Sequence, residues 1–378
     1  MDLIYLDNNA TTPLLPAVWE AMRPFALEAY GNPASAHRAG RRARQGLEDA
    51  REQTAALLGA YPDEVVFTSG ATEANNLALF GLCGDPPAHL LASPIEHPSV
   101  AEPLRQLAAS GFTLDWLPVD SQGVVGADAL LELMRPDTRQ LAVMLVNHET
   151  GAVQPVRALA DRWAGQAAFH CDATQAIGKV SIHFHDLGVT SLSLSAHKFH
   201  GPKGVGALLL RRGAKLRPRT WGGHQQQGRR PGTEPVALAV GLAAALDLAC
   251  CEREQRTTAV HSLRERFLTG LHEAVEPLVL NGPAQGGTPH TINVSFPGLK
   301  ADALLMALDL AGVACSAGSA CSSGSLQPSP VLRAMGMSEE VLISALRFSL
   351  SALLTPNEID EAVRRITAVV RRLRSGQS

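Results

Sequence analysis

The chain is poor in lysine. Only five of its 33 basic residues are lysines, at 179, 198, 203, 215 and 300, and the rest are arginine. Where Arg is the default cation, a Lys is kept for what Arg cannot do: lose its proton when desolvated and attack a carbonyl. Long apolar runs are also missing. The longest, 236–251, is interrupted by Asp247, is too short to span a bilayer and reads as a buried helix. Six cysteines in 378 residues are too few for a disulfide framework. The start, MDLIYLDNNATT, has no basic stretch of a secretory signal, so the thiols are expected reduced and the location cytoplasmic. A net charge of −3 gives no electrostatic footprint for direct nucleic-acid binding, and no membrane partner is expected. Neither G-x-G-x-x-G nor G-x-x-x-x-G-K-[ST] stands where a first strand meets a helix, which argues against a nucleotide-binding oxidoreductase.

What remains is an ordinary globular composition, 46% hydrophobic and 18% charged, long enough for more than one domain. From residue 15 to about 215, short apolar runs alternate with helical patterns. Strands are expected at 65–68, 89–93, 114–118, 141–146, 168–172, 191–194 and 205–211. Helices are expected between them, at 37–58, 71–80, 100–110 and 127–134. This alternation predicts an α/β fold with a mostly parallel sheet covered on both faces. The last pair, joined by Gly-Pro-Lys-Gly, is too tightly connected to be parallel. Residues 236–275 read as one or two long helices. Short strands at 290–296, 312–316 and 345–351 among helices suggest a smaller α+β domain, and QGGTP (285–289) reads as an exposed loop. The division is 15–250 for the large domain, and 1–14 with 251–378 for the small one.

In open α/β sheets ligands bind beyond the carboxyl ends of the strands, and the unusual residues fall there. Ser69-Gly70-Ala71-Thr72-Glu73 precedes a helix and serves either as a phosphate cradle or as a plain cap. His97 stands at a loop tip between prolines. Asn147-His148-Glu149 follows another strand. Asp172 ends an apolar strand, with Gln175 three residues on, and a buried Asp needs a partner. Lys198 follows Ser195 and His197 at the mouth of the sheet. A phosphate cradle, a strand-end acid, a histidine and a lysine are together what an aromatic aldehyde with a phosphate arm requires.

With those residues in view, the chain resembles the cysteine desulfurases, fold-type I enzymes dependent on pyridoxal 5'-phosphate. The likeness is carried in order by YLDNNATTP (5–13), GNPASAH (31–37), VFTSGATEANNLA (66–78), HCDATQAIGK (170–179), SAHKFHGPKGVGAL (195–208), SAGSACSSGSLQPSPVLRAMG (316–336) and LRFSLS (346–351). It implies a large domain with a mostly parallel seven-stranded sheet. It implies that Lys198 carries the cofactor as an imine and shuttles the substrate α-proton. Asp172 then pairs with the ring nitrogen, Gln175 with the ring hydroxyl, and His97 stacks on the ring and serves as a catalytic acid or base. Ala71, Thr72, Ser195 and His197 hold the phosphate, Thr233 reaches the phosphate of the partner in a homodimer, and Asn147 lies beside the ring. Asn32 and Arg347 hold the carboxylate of L-cysteine, for which the guanidinium fork is suited.

The same resemblance makes Cys321 the sulfur acceptor. CSAGSACSSGS (315–325) is rich in Gly and Ser and reads as a mobile loop, unlike the setting of a core thiol. Cys171, Cys250 and Cys251 are expected to be buried packing residues, and Cys315 structural. No metal site is expected: neither C-C nor C-x₅-C has common zinc spacing, and HFH (183–185) is a weak candidate. The loop is closest to the nitrogenase-associated and general iron–sulfur branch, so the acceptor is expected to be an iron–sulfur scaffold or another sulfur-accepting protein. The rival readings are a selenocysteine lyase or other pyridoxal-phosphate enzyme, and a non-catalytic scaffold of the same fold.

Overall fold

The computed structural model describes residues 2–163, 165, 167–318 and 327–376. A short first strand, β1 (Ile4–Tyr5), pairs in parallel with β11 (Val313–Ala314), far along the chain. The main sheet has seven strands: β2 (Val65–Thr68), β3 (His89–Ala92), β4 (Thr113–Trp116), β5 (Thr138–Ala142), β6 (Ala168–Asp172), β7 (Ser191–Ser195) and β8 (Gly206–Leu210). Their order is β2-β8-β7-β6-β5-β3-β4. Only β8 runs against the rest, antiparallel to both β2 and β7, as its short connection requires. A second sheet, β12-β10-β9, is antiparallel and built from β9 (Val279–Asn281), β10 (Thr291–Ser295) and β12 (Ala345–Ser349).

Each sheet has its own apolar cluster. One joins Phe67, Leu141, Phe169, Leu192 and Leu194 to the helices Arg38–Leu58 and Val236–Cys251. The other joins Ile292, Val294 and Phe348 to the helices Arg253–Ala274 and Pro356–Ser375, and it includes Ile4 and Leu6. The N-terminal strand therefore packs with the C-terminal half of the chain.

The alternation Ser-Leu-Ser-Leu-Ser in β7 would ordinarily mark a strand with one wet face. Here both faces are buried. Leu192 and Leu194 enter the core, while Ser191 and Ser193 hydrogen-bond His170 and Asn75.

Several expectations need correction. The strand expected at 141–146 is assigned to 138–142, because its start is polar: Gln140 is wholly buried all the same. Beyond it, Val143 and Leu145 still donate to the carbonyls of His170 and Asp172. The region 236–275, expected as one or two helices, needs no correction: it is two, parted at Glu252. Cys171 is buried, but Cys250 is only half-buried and Cys251 is exposed, since the last turn of their helix emerges from the core. In QGGTP, Gln285 and Gly286 are exposed, whereas Thr288 is buried and donates its N–H to Gly151. The two histidines of HFH face different carboxylates, His183 toward Asp186 and His185 toward Glu64.

Candidate active site

Because β2, β3, β5, β6 and β7 run the same way, their carboxyl ends share one edge of the sheet. A cavity of 470 Å³ opens there, and Ala71, Thr72, His97, Asp172, Gln175, Ser195, His197 and Lys198 all line it. Residues more than a hundred positions apart in sequence thus meet at one site.

At one end, the helix Ala71–Leu82 begins directly after β2. The first N–H groups of a helix lack partners inside it, so Ala71 and Thr72 offer donors to an anion, with Ser195 and His197 beside them. The backbone fits closely here. A Cβ on Gly206 would stand 2.7 Å from Gly70 Cα and 2.5 Å from the carbonyl oxygen of Leu194, so only glycine lets β8 pass behind the cradle. The His197 ring contacts Thr11 Oγ1 at 3.1 Å. Burial, then Lys198 and Lys203, hold its pKa down to about 4, so it is neutral at pH 7.

Asp172 is 4% exposed. Its Oδ1 accepts from Thr174 N–H and its Oδ2 from Asn75 Nδ2, each at 2.8 Å. Asn75 is itself fully buried. It also donates to Ser99 Oγ at 2.8 Å and accepts from His170 Nε2 at 2.9 Å and from Ser193 Oγ. The acid is thus aimed by a saturated polar network, which rigidifies it.

Lys198 Nζ donates to the carbonyls of Asn9 and Ala10, at 2.7 and 2.9 Å. Neither partner is an acid. Burial first, and then the Arg347 charge, bring the amine down to about 8 from 10.5, against the opposing pull of Asp172 and Asp7. A minor but usable fraction is therefore neutral and nucleophilic near neutrality, far more than for an ordinary lysine. The carbonyls that hold it belong to the strap 7–12, which runs from the second sheet into the site. Asp7 pairs with Arg347 at 2.9 Å, Asn8 donates to Ser349 O at 2.9 Å, and Thr12 Oγ1 donates to His197 O at 3.0 Å.

Arg347 is 6% exposed on β12. Beyond Asp7 it reaches the His148 carbonyl at 3.2 Å, and among the described residues its Nε has no partner. A buried, unpaired guanidinium N–H is costly, and an incoming carboxylate would satisfy it.

Two imidazoles stand over the cavity. His97 caps the helix Pro98–Ala109, its Nδ1 accepting from Ser99 N–H at 3.1 Å. The His148 ring meets it edge to face, with centroids 5.2 Å apart. Burial lowers both pKa values, strongly for His148, where the His97 charge comes next; nearby Lys198 and Arg347 push both the same way.

Some expected residues do not line this cavity, and Arg347, tied to Asp7, is one of them. Asn147 was placed beside the ring, but its side chain is consumed locally. Nδ2 donates to Ile95 O at 3.0 Å, while Oδ1 accepts from the N–H groups of Glu149 and Thr150, both at 2.9 Å. It holds its own turn, and its neighbour His148 lines the site instead. Asn32 and Thr233 line a separate groove of 300 Å³, so within one chain Asn32 does not join Arg347. Cys321 lies outside the described residues. Cys315 packs on the second cluster, and burial, then Asp7, push its thiol up to about 12. That thiol is protonated at neutral pH and a poor nucleophile.

Sequence reasoning missed His148, Asn75, Asn9 and Lys179. His148 carried a signal as part of a strand-end tripeptide, and Lys179 carried one as one of only five lysines.

Residues 4–362 match the family model "Aminotransferase class-V". The chain is 40% identical over 376 residues to "Cysteine desulfurase IscS" of Dictyoglomus turgidum, covering 98% of this chain and 95% of that one. A solved "NifS-like protein" superposes with a TM-score of 0.92 at 35% identity, over 98% of this chain and 100% of the other. A structure described as SspA in complex with cysteine gives a TM-score of 0.82 at 35% identity, over 92% and 98%. The chain belongs to the class-V aminotransferase family, and within that family it is a cysteine desulfurase. Among the described residues no helix is long and apolar enough to cross a membrane.

Proposed function

We propose that this chain binds pyridoxal 5'-phosphate in the 470 Å³ cavity and takes the sulfur from L-cysteine, leaving L-alanine and a persulfide on Cys321. The observation that carries the reading is the donor set around Lys198. A lowered amine, a buried carboxylate and an anion cradle at a helix start converge on one space.

That set suits the cofactor. Lys198 would hold it covalently, and Asp172 would face its ring nitrogen. Gln175 would face the ring oxygen, and His97 would cover the ring. Ala71, Thr72, Ser195 and His197 would take the phosphate. When bound, the group supplies an electron sink for the substrate's α-carbon.

The chain's own residues do the rest. Arg347 receives the substrate carboxylate and orients the α-carbon. Lys198 Nζ, whose pKa is brought down to about 8, accepts the α-proton and returns it. His97, a neutral imidazole whose Nδ1 accepts from Ser99 N–H, carries its proton on Nε2 and serves there as a hydrogen-bond donor, while the Cys321 thiol loses its proton to water. The Cys321 thiolate attacks the substrate sulfur. A new S–S bond forms as the C–S bond breaks, the bonding pair stays with carbon, and a proton completes alanine. The product thiol then passes its outer sulfur to an acceptor, an iron–sulfur scaffold or another sulfur-accepting protein, in the cytoplasm. In a homodimer, Thr233 and Asn32 of one subunit would serve the site of the other.

The test is purified protein, loaded with pyridoxal phosphate and given L-cysteine with a reductant. Alanine and sulfide in equal amounts support the reading. Pyruvate with ammonia, or a keto acid without sulfide, would overturn it in favour of elimination or transamination.

A further inference from the structure

We propose that Lys179 is a positioning residue: it fixes the side-chain amide of Gln175 so that an N–H, and not the carbonyl oxygen, faces the cofactor's ring oxygen. The inference rests on the cofactor reading above and assigns a residue which that reading leaves idle.

Lys179 is partly buried and among the described residues has no carboxylate partner. Its Nζ donates to Gln175 Oε1 at 2.7 Å and to Asn9 Oδ1 at 2.9 Å. An ammonium group has three donors and no acceptor, whereas a primary amide presents oxygen one way and NH₂ the other. Lys179 therefore selects one orientation of each amide. Both consequences are visible. Asn9 turns its Nδ2 toward Thr291 Oγ1 at 2.8 Å and His148 O at 3.2 Å. Gln175 turns its Nε2 inward, where one N–H goes to Asn9 O at 2.9 Å. Among the described residues the other N–H has no acceptor, and Gln175 lines the cavity with Lys198. Burial, then Lys198 and Arg347, lower the Lys179 amine to about 7. A neutral amine still carries two N–H groups, enough for both oxygens, so the orientation survives in either charge state.

The lysine's own position depends on Gly178. It has φ +73, and a Cβ there would stand 3.0 Å from Ala249 Cβ, so only glycine makes the left-handed step that brings Lys179 back beneath Gln175.

The experiment is a pH titration of the holoenzyme's visible band in wild type, Lys179→Met, Gln175→Met and the double variant, with folding and cofactor content checked for each. A hydrogen bond to the anionic ring oxygen favours the deprotonated state. Losing it should raise the midpoint by about one pH unit. The expected result is that each single variant shifts upward and the double variant shifts no further than Gln175→Met alone. If Gln175→Met shifts and Lys179→Met does not, or if the two shifts add, the role of Lys179 is refuted. If Gln175→Met leaves the midpoint unchanged, the underlying placement of Gln175 fails instead. Lys179→Gln keeps an N–H donor for Gln175 Oε1 on a side chain of the same length as that of Met. It should titrate with wild type, and it carries the comparison if Lys179→Met does not fold.

Discussion

Asn75→Ala is the sharpest structural perturbation of the site. Asn75 is fully buried and makes four hydrogen bonds, to Asp172, Ser99, His170 and Ser193. Ser99 retains His97 Nδ1 and Asp172 retains Thr174 N–H. The loss therefore falls on one charge-assisted bond to Asp172, on His170 Nε2 and on Ser193 Oγ. The first is worth ~1.5–3 kcal/mol, and each orphaned neutral partner costs ~1–3 kcal/mol. Water entering the space of the lost amide recovers part of this, which leaves a destabilisation of roughly 3–6 kcal/mol. The assay is chemical denaturation of the apoprotein, read as the change in midpoint at constant slope. Asn76→Ala is the control. It lies one position on, and its Nδ2 reaches only Thr72 O on an exposed surface, so its effect should stay within ~0.5 kcal/mol. If Asn75→Ala costs less than ~1 kcal/mol, or no more than the control, the network does not hold Asp172 in place.

Asp172→Asn keeps the shape but removes the charge, and its amide oxygen can accept from only one of Thr174 N–H and Asn75 Nδ2. It should bind cofactor and lose alanine formation by about 10²–10³-fold, checked by product analysis at matched cofactor content. Lys198 should react with pyridoxal phosphate along a pH curve with its midpoint near 8, scored by borohydride trapping and mass spectrometry; a midpoint near the ordinary lysine value would refute the effect of burial and Arg347. The linkage has a definite sign. The unfolded chain keeps this proton to roughly 10.4, so the burial cost is fully present below about 8 and is relieved as pH rises from there.

What the sequence revealed follows from locality. The strand-and-helix alternation, the antiparallel last pair and the strand-end positions of Ser69, His97, Asp172 and Lys198 are local patterns that the topology gathers on one edge. The scarcity of lysine singled out Lys198, and it equally applied to Lys179: one partner, Gln175, stands only four residues away, but the other, Asn9, lies 170 positions away and leaves no local trace. Asn75 was hidden for the same reason: it looks like one more polar residue on a helix, and its partners lie on β6 and β7. Asn147 was misread although the sign was local. An Asn at the head of a turn commonly accepts from the N–H two residues on, and here it accepts from Glu149. The polar opening of β5 hid its true start, because Gln140 is buried on a sheet covered on both faces.

The central claim is that Cys321 takes the sulfur. It is tested most directly by exposing wild type and Cys321→Ala, both loaded with pyridoxal phosphate, to L-cysteine without reductant, and weighing the intact chains. Wild type should gain one sulfur atom, mapped to Cys321, with one alanine formed per site. Cys321→Ala should keep its cofactor and gain nothing. Sulfur carried by Cys315 or Cys251 in wild type, or alanine made at the wild-type rate by the variant, would contradict the account.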